Sequence, residues 1–153
     1  MQVSRKKTRK FLLQKLYARI YGDILEQRFH ESFFEGILTF DIDEKYLSEM
    51  FQIILDNQDT ILSIIAQYAP KFDIDSMLKT NILSMCIAIA EMLYIKEEIP
   101  GKVSINEAID LAKYYGDDTS KNIVNGILNG FYKNIETHQD ELNKISKKYE
   151  FFA

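Results

Sequence analysis

The chain has very few of the residues that interrupt or cross-link a fold. Its 153 residues include one cysteine, two prolines, six glycines and no tryptophan. The single cysteine, Cys86, excludes an internal disulfide and agrees with a reducing cytoplasm, where we expect the protein to act. The scarcity of glycine and proline favours long regular elements.

Long apolar runs and targeting signals are also missing from the sequence. No stretch approaches the roughly 18 apolar residues that a membrane-spanning helix needs. The basic start of the chain lacks the apolar stretch and cleavage site of a secretory signal peptide. A transit peptide is the remaining alternative for this segment. We favour a folded segment, because Leu12, Leu16 and Ile20 form an apolar stripe at helical spacing.

Signals of catalysis or of a metal site are weak. The two histidines, His30 and His138, lie in unrelated segments, and no phosphate-binding loop, dinucleotide-binding or zinc motif occurs. The acidic pairs within residues 41–43 and 73–75 lack the glycine and the glutamate of a calcium loop, so we interpret them as helix caps or solvated loops. Cys86 lies in the most apolar predicted helix, which indicates a buried structural thiol. We therefore expect no catalytic residue, metal or cofactor.

Periodicity predicts an all-α protein. Hydrophobic residues make up 46% of the chain, and almost every segment repeats them at helical spacing. We predict six or seven helices in two packed three-helix lobes, residues 1–70 and 71–137 of a single domain. A charged tail, residues 138–153, is predicted to form a frayed helix.

Caps and breakers set the predicted helix boundaries. The first predicted helix covers residues 5–21 and is stopped by Gly22. A short second helix contains Phe33, Phe34, Ile37 and Leu38, and a third covers residues 43–68 with a bend at 56–59. An apolar helix capped by Asp73 or Asp75 follows, then a helix that begins at a Ser104–Glu107 capping box and ends at Gly116, and finally a helix capped within residues 117–119. Pro70 ends the third of them, because the residue before a proline disfavours the helical conformation. The polar residues 96–101 are predicted to be a loop.

The charge of the chain is unevenly distributed. It has 19 basic and 23 acidic residues in total, yet its first 22 residues contain no acid. The seven basic residues in that segment are Arg5, Lys6, Lys7, Arg9, Lys10, Lys15 and Arg19. Positive charges at a helix N-terminus oppose the helix dipole, so without acidic partners they predict an external anion. A nucleic acid, an anionic protein or a membrane surface would satisfy them, and single-stranded RNA is favoured because no helix-turn-helix signature is present.

The basic segment is predicted to be rigid. At 100° per residue, Arg5 and Arg9 lie in line with Leu12, Leu16 and Ile20 on one helix face. The first predicted helix therefore begins as a basic ridge and becomes a core-packing helix after about two turns.

The second half of the chain carries a specific sequence signature. Its pieces are Pro100-x-Lys102-Val103, Ile105-Asn106-Glu107-Ala108, Leu111-Ala112-Lys113, Gly116, Ser120 and Val124-Asn125-Gly126-x-Leu128. This pattern resembles the C-terminal signature of the NusB family of bacterial transcription antitermination factors. Glu91-Met92-Leu93-Tyr94, and the basic run from Arg5 to Arg9 followed by Leu16-Tyr17, resemble further parts of that family.

The resemblance implies a two-lobed all-α protein without catalytic activity. It implies that the chain pairs with the small-subunit ribosomal protein also called NusE, and that the pair binds the single-stranded boxA element of nascent RNA. With other Nus factors, the complex would hold RNA polymerase in a termination-resistant state on ribosomal RNA operons. The implied RNA-binding positions are Arg5, Lys6, Lys7, Arg9, Lys102, Ser120 and Lys121. Tyr17 is implied to face the protein partner.

Departures from the family pattern favour binding by charge over binding by stacking. Lys10 stands where many members have an acid, so we add it to the predicted RNA-binding residues. Ile123 replaces an aromatic residue that is common in the family, so base stacking is lost there.

The alternative function is a protein-interaction module in ribosome biogenesis without direct sequence-specific RNA binding. Members of the family differ in homo-oligomeric state, so a homodimer is left open.

Overall fold

A computed structural model describes residues 3–34, 41–71, 73–95, 97–141 and 148–153 of this protein. Its helices are α1 (Arg5–Ile20), α2 (Asp23–Phe34), α3 (Glu44–Asp56), α4 (Gln58–Tyr68), a 3-10 helix (Ile74–Ser76), α5 (Lys79–Leu93), α6 (Gly101–Tyr115), α7 (Asp118–Lys133) and α8 (Ile135–Asp140). These ranges contain no strand, and the all-α prediction is confirmed. Within them, no helix combines the length and the apolar character that crossing a bilayer requires.

Helix α5 is the centre of the molecule. Every residue from Asn81 to Glu91 is buried, and α5 packs against α1, α3, α4, α6 and α7. The prediction of a central helix that is apolar around most of its circumference is therefore confirmed. Cys86 lies in this core, and burial raises the pKa of its thiol well above the ordinary value. These are the properties of a structural cysteine, as predicted.

The long helix predicted from residue 43 to 68 is divided in two. Asn57 separates α3 from α4, and its side-chain amide donates a hydrogen bond to the Ile53 carbonyl at 2.8 Å. The sequence predicted a bend at this place, and the structure has a break in the helix. Helix α4 ends at Tyr68, shortly before Pro70, as predicted.

Aspartate caps occur at three helix starts, one of them not as predicted. Asp43 accepts a hydrogen bond from Tyr46 N at the start of α3, and Asp117 caps α7 as expected. Asp73, however, caps the 3-10 helix by accepting from the backbone N–H of Asp75. The prediction that either aspartate caps the central helix is wrong, because α5 begins only at Lys79.

The predicted start of α6 is also wrong. The helix begins at Gly101, directly after Pro100, so Ser104 and Glu107 lie inside it and form no capping box. A Cβ atom on Gly101 would lie 2.3 Å from Cε1 of Tyr132. Glycine therefore permits the close approach of the end of α7 to the start of α6, and the two helices run antiparallel.

One continuous core joins the two predicted lobes. Helix α1 contacts α2 and α3 of the first lobe and also α5 of the second. The buried apolar residues of α1 and of α3 to α7 belong to a single cluster. The division into lobes at about residue 70 stays a prediction, and both parts depend on the same core.

The second helix begins directly after Gly22. Gly22, with a φ of 128°, adopts the left-handed conformation that favours glycine, and it separates α1 from α2 as expected. Helix α2 starts directly afterwards at Asp23. Ile37 and Leu38, which the sequence placed in this helix, lie outside the described residues, as do the side chains of Phe33 and Phe34.

The C-terminal tail differs from the predicted frayed helix. It is helical over α8, and residues 142–147 lie outside the described ranges. Residues 148–153 are not helical, and Phe152 packs into the core. His138, which the sequence placed in the tail, is buried and lies 2.6 Å from the Tyr68 hydroxyl.

Candidate nucleic-acid and protein interfaces

The basic segment is fixed to the body of the protein at its first turn. Ser4 caps α1 by accepting a hydrogen bond from Lys7 N at 3.1 Å. Ser4 N donates to the Asp41 carbonyl at 2.6 Å, and the Thr8 hydroxyl accepts from Asp43 N at 2.9 Å. These bonds join the start of α1 to the residues before α3, which agrees with the predicted rigid patch.

Most basic residues of this segment have acidic partners in the helices and loops that follow it. Six of them lie within ion-pair distance of a carboxylate: Arg5, Lys6, Lys7, Arg9, Lys15 and Arg19. The interpretation that these charges lack acidic partners is therefore wrong. Since these charges are already paired, the exposure of each basic side chain decides whether it can bind an external anion.

Arg5 is partly exposed and has two acidic neighbours. Its Nη2 atom lies 3.0 Å from Oδ2 of Asp43 and 3.1 Å from Oε2 of Glu97. The guanidinium carbon lies 4.1 Å from the centroid of the Tyr46 ring. These contacts hold Arg5 at the surface in one orientation, with about a quarter of its side chain accessible.

Lys6 and Lys7 are the most accessible of the paired cations. Their side chains are 58% and 62% exposed. Lys6 Nζ lies 3.3 Å from Asp110 and 3.7 Å from Glu107, and Lys7 Nζ lies 2.6 Å from Asp41. Exposed ion pairs of this kind contribute only about 0–1 kcal/mol to stability. A phosphate can therefore replace the carboxylate partner at small cost.

Arg9 is buried, which contradicts its implied role as an RNA contact. Its Nε donates to Glu91 at 2.7 Å and its Nη2 at 3.1 Å, and the two side chains are 6% and 0% exposed. Burial by itself would lower the pKa of Arg9, but the hydrogen bonds and the charge of Glu91 outweigh it and raise the pKa. We therefore assign Arg9 a structural role, joining α1 to the central helix.

Glu91 is the centre of this buried polar cluster. Its carboxylate also accepts hydrogen bonds from the Tyr46 hydroxyl and, at 2.8 Å, from the Ser104 hydroxyl. Burial and the nearby carboxylate raise the pKa of Tyr46, so this hydroxyl remains protonated and donates. Groups from α1, α3 and α6 thus converge on one carboxylate. Sequence reasoning identified Glu91 only as part of a stretch that resembles the family, although it is the one acidic residue of α5.

Lys10 differs from its basic neighbours. Among the residues that the structure describes, no carboxylate forms an ion pair with it. Its Nζ lies 4.2 Å from the centroid of the Tyr114 ring, a cation–π contact with α6. Gln14, one turn further along α1, donates to the Tyr115 hydroxyl at 2.7 Å. These contacts show that α1 and α6 run in the same direction.

The structure brings only part of the predicted RNA site together. Lys102 is exposed at the N-terminus of α6, which is the same end of the molecule as Arg5, Lys6 and Lys7. Lys121 is also exposed, but it lies at the start of the antiparallel helix α7. The two ends of α6 are about 20 Å apart. A site that joins Lys102 to Lys121 must therefore extend along the whole of α6, and Lys10, which contacts Tyr114 in the last turn of α6, lies towards the Lys121 end.

Ser120, another implied RNA contact, is buried at the turn between α6 and α7. It is 4% exposed, and its backbone N–H donates to the capping carboxylate of Asp117. A Cβ atom on Gly116 would lie 2.5 Å from the Ser120 hydroxyl oxygen. The position of Ser120 is explained by packing, and its side chain is not exposed to an external ligand.

The other end of α1 carries an apolar surface. Tyr17 and Tyr21 are exposed there, and Leu78, the residue before α5, is exposed as well. These three residues are here called the Tyr17 face. Tyr17 is 39% exposed, and its ring centroid lies 5.7 Å from that of Tyr21. Lys79, next to Leu78, is close enough to interact electrostatically with the Tyr17 hydroxyl. Exposed tyrosines beside apolar residues are typical of protein interfaces.

The remaining two basic residues of α1 add little charge to either surface. Lys15 Nζ lies 2.6 Å from Glu26, and Arg19 Nη1 lies 3.2 Å from the same carboxylate. Lys15 and Glu26 are both buried between α1 and α2. This cluster therefore fastens α2 to α1.

Comparisons with known proteins agree on one family. The model of the NusB family matches residues 6–133. The transcription antitermination protein NusB of Clostridium perfringens (strain SM101) is 36% identical over 137 residues, which cover 88% of this chain and 100% of that protein. The protein of the same name from Alkaliphilus oremlandii is 35% identical over 127 residues, 82% of this chain and 91% of that protein.

A solved structure of T. maritima NusB has a similar fold. It superposes with a TM-score of 0.72 at 29% sequence identity, and the match covers 87% of this chain and 93% of the T. maritima chain.

Proposed function

Because this chain belongs to the NusB family, we propose that it is a transcription antitermination factor. Its relatives in C. perfringens and A. oremlandii carry that name. In this proposal it binds boxA-type single-stranded RNA in the cytoplasm, together with the small-subunit ribosomal protein NusE. With other Nus factors it promotes processive transcription of ribosomal RNA operons by RNA polymerase. No catalytic step and no cofactor are part of the proposed function.

The exposed basic end of α1 is the observation that carries the RNA-binding part. Lys6 and Lys7 are accessible, and Lys10 has no ion-pair partner among the described residues. Arg5 and Lys102 lie at the same end of the molecule. Cations in this arrangement neutralise phosphates and release counterions, which supports affinity for RNA without base-specific contacts.

The salt dependence of RNA binding tests this proposal. With about five phosphates contacted on a single strand, a plot of log affinity against log salt concentration should have a slope of about −3.5. We expect binding to boxA RNA to be tighter in the presence of NusE. Fluorescence anisotropy with labelled RNA, with and without NusE at several salt concentrations, measures both effects. A scrambled RNA of equal length is the control for sequence preference. A slope near zero would contradict the RNA-binding proposal.

The Tyr17 face supports the protein-partner part of the proposal. Replacing Tyr17 with alanine should weaken NusE binding about tenfold or more, because exposed aromatic residues often dominate interface energies. Isothermal titration calorimetry measures the change. Tyr114→Ala is the matched control, since Tyr114 is an exposed tyrosine beside Lys10 at the RNA end and should leave NusE binding unchanged. Equal losses in both variants would contradict the assignment of this face.

The alternative function is a protein-interaction module in ribosome biogenesis. The ion pairs that occupy most of the basic residues favour this alternative, because they reduce the charge available to RNA. If boxA RNA does not change the affinity for NusE, and the complex with NusE has no affinity for RNA, the results would support the alternative over antitermination through boxA.

A further inference from the structure

Residues 148–153, here called the C-terminal strap, fold back onto the body of the protein. Arg19 Nε donates to the Ala153 carbonyl at 2.8 Å, and Ala153 N donates to the Arg19 carbonyl at 3.3 Å. The strap also reaches the start of α4, where Asp59 accepts from Tyr149 N at 2.6 Å. Phe152 is buried in the core. The strap therefore bridges the end of α1 and the start of α4.

The strap covers apolar surface next to the Tyr17 face. It forms one wall of a cavity of about 390 Å³ whose other walls include Ile20, Met77 and Lys79. Ile20 is the last residue of α1, about one turn after Tyr17 and next to Tyr21 in sequence, and Met77 directly precedes Leu78. Lys79 borders both the cavity and the Tyr17 hydroxyl. The surface beneath the strap is thus continuous with the Tyr17 face.

The strap lies outside the part of the chain that matches the family. The family model ends at residue 133. The alignment with the C. perfringens protein includes all of that protein and leaves 12% of this chain unmatched. A domain consisting of the matched region alone would leave Ile20 and Met77 uncovered beside Tyr17.

The strap is attached to the body by aromatic side chains and by hydrogen bonds. Phe152 is buried, Tyr149 and Phe151 pack against the core, and the backbone N–H groups of Tyr149, Phe152 and Ala153 donate to the body. Terminal segments that belong to no helix are nevertheless among the first parts of a native protein to open locally, because ordering them costs conformational entropy. The strap is therefore suited to leave its site while the helices remain folded.

We propose that the C-terminal strap masks part of the partner-binding surface and that NusE displaces it on docking at the Tyr17 face. The inference rests on the proposed function, because it takes NusE as the partner of that face. A strap that is closed in about 70–90% of molecules would weaken the apparent affinity about three- to tenfold, since only the open fraction binds fully.

Removal of residues 148–153 tests the inference. The shortened chain should bind NusE about three- to tenfold more tightly than the full chain in calorimetry. Phe152→Ala in the full chain should shift the affinity in the same direction by a smaller factor, and Lys148→Gln, an exposed change in the same segment that does not line the cavity, should not. Equal or weaker binding by the shortened chain, with its helix content retained, would overturn the inference.

Hydrogen exchange gives a second measurement that needs no variant. In the full chain, the backbone amides of Tyr149, Phe152 and Ala153 should exchange faster when NusE is saturating, because their hydrogen bonds to the body open. Unchanged or slower exchange would overturn displacement even if the deletion variant failed to fold. If neither chain bound NusE, the proposed partner would be wrong as well, whereas equal binding by both chains would reject masking alone.

Discussion

Replacing Arg9 with alanine should lower the free energy of unfolding by about 3–5 kcal/mol, the usual cost of removing one partner of a buried ion pair. The Glu91 carboxylate has no exposed surface, and without Arg9 it would retain only the hydroxyl donors of Tyr46 and Ser104. Domains of this kind are stable by about 5–15 kcal/mol, so the loss would be a large fraction of the total. Urea unfolding followed by circular dichroism measures it.

Two further variants separate the buried pair from general effects on α1. Lys10→Ala removes a neighbouring cation on the same helix and should cost no more than about 1 kcal/mol, because only an exposed cation–π contact is lost. Arg9→Met combined with Glu91→Gln should recover much of the stability that Arg9→Ala loses, since no unpaired charge remains and the amide can still hydrogen-bond the buried hydroxyls of Tyr46 and Ser104. A cost below about 1 kcal/mol for Arg9→Ala would contradict the structural role of this residue.

The sequence indicated that Arg9 approaches the core, but it did not identify the partner of Arg9. Arg5 and Arg9 lie in line with Leu12 and Leu16, and that face of the helix enters the core. The alignment therefore indicated that the second arginine approaches the interior. Its partner, however, is 82 positions away in α5, and periodicity within one helix does not identify a partner on another. For this reason the residue was predicted to be a phosphate contact.

The start of α6 shows why a local motif is insufficient where a tertiary contact competes with it. Ser104 and Glu107 have the spacing of a capping box, but the helix begins one turn earlier, after Pro100. The buried carboxylate of Glu91 needs donors, and the Ser104 hydroxyl supplies one of them at 2.8 Å. Sequence alone predicted the central helix and an interruption of the long helix near Asn57, as a bend and not as a break, because apolar periodicity and polar interruptions act locally.

At the predicted binding surfaces, the exposed residues could be predicted from the sequence better than the buried ones. Exposure of Lys6 and Lys7 follows from their positions on the polar face of α1, which the helical pattern predicts. Burial of Ser120 follows from the close packing at Gly116, a contact between two helices that no local rule describes. The return of Phe152 to the core likewise depends on a pairing between the end of the chain and α1, far apart in sequence.

Replacing Lys6 and Lys7 together with glutamine should reduce RNA affinity by up to about 15-fold at 0.15 M salt and leave the fold intact. Each phosphate contact on a single strand contributes about 0.7 to the magnitude of the salt slope, so the slope should change from about −3.5 to about −2.1. Both lysines form exposed ion pairs, so their loss should change the free energy of unfolding by less than about 1 kcal/mol.

The matched control is Arg28→Gln combined with Lys148→Gln, which removes the same charge elsewhere. Arg28 is exposed on α2, two residues after Glu26 and therefore on the face turned away from α1. Lys148 lies in the C-terminal strap, at the opposite end of α1 from Lys6. Anisotropy titrations of both double variants with boxA RNA over a salt series measure the slopes. Equal losses in the two variants would mean that net charge, rather than the basic end of α1, determines binding. Including Arg9 in the variant would lose this distinction, because its removal should also lower the free energy of unfolding by about 3–5 kcal/mol.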